Sequence, residues 1–130
     1  MYRLIWLRAF HSPISIRIGR VGAAATITAV ELKGAGGYGP GPINYFVHKG
    51  LSAVEWNAAV NTLDRADVWA AVSDGPNSFV DDGSTWLLEG RLGNRCHVLY
   101  RWSPRDAHTR NVALRFLELA GFTVPSEQFY

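Results

Sequence analysis

The chain contains one cysteine, Cys96, and only two lysines, Lys33 and Lys49, in 130 residues. A single cysteine excludes an intrachain disulfide and leaves the redox compartment open. No segment approaches the roughly 18 consecutive apolar residues of a membrane-spanning helix. Charge is also sparse: 18% of residues are charged and the formal net charge is +2, which points neither to nucleic acid nor to a membrane surface. His11, His48, His97 and His108 stand at none of the short spacings of a ligand pair, so no metal is expected. No cofactor is expected either. Gly34, Gly36 and Gly39 match the spacing of a dinucleotide fingerprint, but Pro40-Gly41-Pro42 follows where a helix N-terminus has to meet the pyrophosphate.

What is present suits one globular domain spanning residues 1–130, because 48% hydrophobic content can fill a single sizeable core. Eleven of the thirteen basic residues are arginines, a bias that fits planar carboxylate or phosphate partners and equally follows from codon composition. The opening Met1 to Phe10 is too short and too charged for a signal-peptide core. The chain as given reads as soluble. Strand-like sequence from residue 2 leaves room for an envelope-targeting segment ahead of it, so localisation stays open.

The periodicities predict an α+β fold, an antiparallel sheet of about six strands in the order ββββ-α-ββ-α with two helices on one face. Tyr2 to Phe10 is aromatic and branched, and Ile14, Ile16 and Ile18 alternate with Ser15, Arg17 and Gly19. A turn over Gly19 to Gly22 leads to a strand over Ala23 to Lys33, and Ile43 to His48 forms a fourth. Ser52 and Glu55 have the form of a capping box, opening a helix from Ala53 to about Arg65 with Trp56, Ala59, Val60 and Leu63 on one face. Residues 73–83 read as a polar loop. Asp106 to Ala120 supports a second helix ended by Gly121, with Val112, Ala113, Phe116, Leu117 and Ala120 inward. The tail from Phe122 to Tyr130 either packs back on the domain or offers a homodimer contact.

Residues 82–104 read as a β-hairpin holding most of the chemically interesting side chains. A turn at Gly93-Asn94 pairs Leu92 with Arg95, Gly90 with His97, Leu88 with Leu99 and Trp86 with Arg101. Trp86 beside Arg101 then suits a cation-π contact, and the same pair equally suits plain sheet packing. A one-residue slip would exchange the two faces. The candidate binding residues are Tyr38, Trp86, Glu89, His97, Arg101 and Trp102, because Trp, Tyr and Arg dominate interface hot spots. Cys96 and His97 point to opposite faces of a strand and cannot chelate one ion. Cys96 between apolar neighbours reads as a small hydrophobe, and Ser84 with His97 lacks a nucleophile signature.

Gly34-Ala-Gly-Gly-Tyr38, Leu51-Ser52 with Glu55-Trp56 opening a helix, Asp82-Gly83-x-x-Trp86-x-Leu88-Glu89-Gly90, and His97-Val98 followed by Arg101-Trp102-Ser103-Pro104 together resemble a set of small uncharacterised bacterial proteins. The resemblance covers residues 2 to about 122 and implies no reaction or ligand. Some such proteins look envelope-associated. Where that pattern has Tyr-His-Val-Val, this chain has Cys96-His97-Val98-Leu99, which argues against Cys96 as a nucleophile. The leading expectation is a non-catalytic protein- or ligand-binding domain, immunity- or inhibitor-like in one version, with an unknown protein or small ligand as partner. The alternative is a small hydrolase or transferase using His97 with Glu89 or an aspartate from the 74–82 loop (Asp74, Asp81, Asp82) as acid and base.

Overall fold

A computed structural model describes residues 1–75 and 82–130. Its described residues form strands β1 (Tyr2–Arg8), β2 (Ile14–Val21), β3 (Ala24–Leu32) and β4 (Ile43–Leu51), helix α1 (Ala53–Arg65), strands β5 (Ser84–Leu92) and β6 (Arg95–Trp102), and helix α2 (Ala107–Ala120). The strands make one antiparallel sheet in the order β4-β3-β2-β1-β5-β6. Strands β1 to β4 are a meander. The chain then crosses through α1 to the far side of β1, where β5 and β6 pair as a hairpin.

Period-two alternation decides which face is buried. Tyr2, Leu4 and Trp6 of β1, Ile14, Ile16 and Ile18 of β2, and Ala25, Ile27 and Ala29 of β3 form one core with Trp86, Leu88 and Leu99. Both helices bury their apolar stripes in that same core, α1 through Ala59 and Leu63 and α2 through Val112, Ala113, Phe116, Leu117 and Ala120. Among the described residues no helix packs on the opposite face. It carries Arg3, Ile5 and Leu7 of β1 beside Leu87 and Glu89 of β5.

Local chemistry sets the boundaries. The Ser52 hydroxyl accepts from the Glu55 amide while the Glu55 carboxylate accepts from the Ser52 amide, a complete capping box. At α2, Asp106 accepts from the Thr109 amide at 2.7 Å and Gly121 ends the helix at φ 76°. The sheet differs from expectation at the β2–β3 turn. Strand β2 continues through Val21, and the chain reverses at Gly22-Ala23, because Val21 pairs with Ala24 and only Gly22 takes the positive φ of 59° that the turn needs. Strand β4 also runs three residues past His48, since its ladder with β3 continues from His48 to Leu51.

The tail folds back on its own domain. Phe129 is buried with ring centroids 4.9 Å from Trp6 and 5.4 Å from Trp86, and those two indoles, partners across β1 and β5, lie 5.0 Å apart. Both indole N–H groups donate to the Tyr130 main-chain oxygen at 3.1 Å, and the Ser84 hydroxyl donates to it as well. Every polar atom of this aromatic layer therefore has a partner, the condition for burying tryptophan cheaply. Arg8 lies beside it, almost fully buried, with its guanidinium on Ser12 O, Gln128 and the Trp6 ring face. Burial pulls that guanidinium below its ordinary value, and Glu31 and Tyr130 act against the shift.

Candidate functional site

The hairpin forms in the anticipated register, with Gly93 at φ 60° in its turn and Leu92 opposite Arg95, Gly90 opposite His97 and Trp86 opposite Arg101. The six residues singled out from the sequence nevertheless do not converge. Trp86 is completely buried under Phe129, so it has no surface to offer a ligand. The anticipated Trp86–Arg101 cation-π contact gives way to packing: Arg101 turns outward to the Val72 carbonyl and to Asp74 at 3.2 Å. Trp102 N–H donates to the other Asp74 oxygen at 2.7 Å, so one carboxylate clamps two neighbouring positions of β6.

His97 lies on the helix-side face, its Nε2 donating to the Ala71 carbonyl at 3.3 Å. Glu89 projects from the opposite face and pairs with Arg3, its neighbour across β1 and β5; that hydrogen bond pushes the Arg3 guanidinium above its ordinary value. Tyr38 is far exposed and stacks on Phe10, with ring centroids 5.9 Å apart. The glycine segment that carries it is a tight connection pinned to the β1–β2 turn, where Gly36 N–H donates to the Arg8 and His11 carbonyls.

No histidine is hydrogen-bonded to a carboxylate among the described residues: His11 meets the Tyr130 hydroxyl, His48 meets Thr28, and His97 meets a carbonyl. Asp74 is engaged by Arg101, and Asp81 lies outside the described residues. Among the described residues, the acid–base pair suggested for a hydrolase or transferase is not brought together. Among the described residues no cluster of three or more His, Cys, Asp or Glu could hold a metal ion, and no helix is long and apolar enough to cross a membrane. Cys96 is exposed, not the buried small hydrophobe expected from its neighbours, because it lies at the outer end of the edge strand on the face without helices.

One depression joins aromatic walls to converging charges. It lies at the end of β1 and β5 opposite the Trp6–Trp86 layer and has a volume of about 630 Å³, within the range of small-molecule sites. Tyr2, Trp56 and Trp69 form its aromatic walls, with Val60 and Leu92 beside them and Arg20, Asp64 and Arg95 as charged groups. The Tyr2 ring stands 6.5 Å from Trp56 and 6.0 Å from Trp69, the latter edge-on. Arg95 lies over the Trp69 face with its guanidinium carbon 4.7 Å from the ring centroid.

Three elements build this cleft. Helix α1 brings Trp56 in its first turn, and the chain after α1 turns sharply at Asp67, whose φ is 48°. Val68 then plugs the core and Trp69 is laid across the β5 backbone. Gly90 makes this possible, since a Cβ there would stand 3.0 Å from two Trp69 ring carbons. Met1 also lines the cleft; its amine donates to the Arg91 carbonyl at 2.9 Å, and burial together with the Arg91 charge holds it below its ordinary value.

Among the described residues Arg95 has no hydrogen-bond acceptor, while Arg20 donates to the Gly22 carbonyl at 2.8 Å. The site thus presents ring faces together with guanidinium donors that can still accept an anion. Trp69 was missed in the sequence because no periodicity reaches it, and Trp56 read only as a core position. A second depression of about 630 Å³ contains Arg101 and Trp102, but its guanidinium is already held by Asp74 and Val72. Compared with protein-family models, with curated proteins and with solved structures, the chain matches none.

Proposed function

We propose that this protein is a non-catalytic binding domain that takes a small planar ligand bearing an anionic group into the cleft of Tyr2, Trp56 and Trp69. The observation that carries the reading is the Arg95 guanidinium over the Trp69 ring at the mouth of an aromatic cleft, with Arg20 lining the same space. Apolar ring faces supply most of the binding free energy, and the arginines select charge. Asp64 opposes a second negative group and so favours ligands with one anionic end. The resemblance to small bacterial proteins neither adds to this reading nor detracts from it.

Two probes of nearly the same shape test it. 1-Anilinonaphthalene-8-sulfonate carries one negative charge, and N-phenyl-1-naphthylamine is its uncharged counterpart. In a titration followed by tryptophan emission the sulfonate binds more tightly. Arg20→Ala/Arg95→Ala weakens the sulfonate by about tenfold, the worth of one charge-assisted hydrogen bond, and leaves the neutral probe unchanged. Equal affinity for the two probes, or a sulfonate affinity indifferent to the double substitution, defeats the proposal.

A further inference from the structure

The two edges of the sheet are treated differently by the chain. Along β6, residues 71–74 cover the outer edge: Tyr100 N–H donates to the Ser73 hydroxyl at 2.9 Å, and Asp74 N–H donates to the Tyr100 carbonyl at 3.1 Å. Along β4, no described segment hydrogen-bonds to the outer main chain. From Ile43 to Gly50 every residue but Val47 is exposed, with Ile43 at 60%, Tyr45 at 47% and Phe46 at 57%. This nine-residue edge contains no proline, and its only full charge is Lys49. Proteins ordinarily protect such an edge with charge, proline, a bulge or a covering loop. Here the register irregularity sits only at the start of the strand, opposite Glu31 and Leu32.

We infer that β4 pairs antiparallel with β4 of a second copy of this chain, making one continuous sheet through two domains. The pairing that centres Val47 on its own twofold mate sets Tyr45 against Lys49 of the other copy, twice, and Phe46 against His48. What this arrangement sets opposite Lys49 favours it. It opposes no like charges, gives each Lys49 an aromatic face, and sets Ile43 against Leu51, whereas centring on Lys49 would place two ammonium groups together. Each copy supplies the same strand, as a closed twofold interface requires. This edge shares no residue with the cleft.

Sedimentation equilibrium over a concentration series of the full chain shows a monomer–dimer equilibrium. Tyr45→Lys places lysines opposite one another at two symmetric positions and raises the dissociation constant at least about tenfold. Within one copy Tyr45 is opposite Glu31 and its ring meets Phe122 edge-on at 5.4 Å, so the new lysine removes one ring contact from the monomer and gains a carboxylate across the ladder. Adding Lys49→Glu restores the dimer, and Lys49→Glu alone keeps it, with circular-dichroism melts reporting that each variant folds. Amide hydrogen exchange on the wild type gives a test free of substitutions, because protection of the β4 amides rises with protein concentration. A monomer at every concentration, a dimer that survives Tyr45→Lys, or a dimer that Lys49→Glu does not restore overturns the inference.

Discussion

The helix-side faces of β1 and β5 carry aromatic residues at both ends, and the two ends have different fates. At one end Trp6 and Trp86 are partners across the strands, and Phe129 with the Tyr130 main-chain oxygen closes over them. At the other end Tyr2 is opposite Gly90, and the space a side chain would have taken is filled by Trp69 from outside the sheet. Trp56 and Trp69 stay partly exposed, with the Arg95 guanidinium over the Trp69 face in place of a returning segment, and a cleft remains. The residue types are alike. What separates core from candidate site is whether a later part of the chain returns to cover the rings and to accept from their N–H groups.

Substituting one indole at each end breaks the comparison most sharply. Trp86→Ala removes a fully buried side chain and leaves a void between Trp6 and Phe129, and it is expected to cost about 3–5 kcal/mol in urea unfolding. Trp69→Ala, at a half-exposed position, is expected to cost about 1–2 kcal/mol while abolishing sulfonate-probe binding. If the two losses are equal, the ends are both structural and the cleft is no more than a surface irregularity.

A smaller effect is expected at Gly90. Gly90→Ala pushes a methyl group toward the Trp69 ring, costing about 1–2 kcal/mol from overpacking and weakening the probe severalfold through a displaced wall. Heteronuclear spectra that show the Trp69 indole resonance unmoved would contradict this account of the glycine.

The smallest effect concerns the cap that orients Trp56. Hydrogen bonds from the Ser52 backbone, then from its side chain, hold the Glu55 carboxyl below its ordinary value, with a lesser pull from Lys49. A lowered folded-state value means that Glu55 contributes stability in full above its unfolded value of about 4.3 and loses it as pH falls through the folded value. The stability difference between wild type and Glu55→Gln should be constant near neutrality and shrink below about pH 4. A difference that grows on acidification would reverse the assigned sign.

Much of the architecture was legible because it depends on local rules. Period-two burial in β1 and β2, the Ser52–Glu55 box, the Gly121 stop and the Gly93 turn each follow from side chains a few residues apart, and the hairpin register followed from its turn. Candidate sites were far less legible. Trp86, Arg101 and His97 share a strand face in sequence terms, yet one is in the core and two are tied to residues 71–74. Their partners lie 26 to 29 positions away for His97 and Arg101 and 44 for Trp86, beyond the reach of any periodicity.

The α+β order, the faces of the strands and the ends of the helices follow from local sequence, because hydrogen-bonding geometry and alternation act over a few residues. Which tryptophans are sealed, which arginine keeps its donors available and which sheet edge stays open were settled by long-range packing. Those outcomes depend on where the tail and the segment after α1 come to rest, and that is set by the packing of residues far apart in the chain.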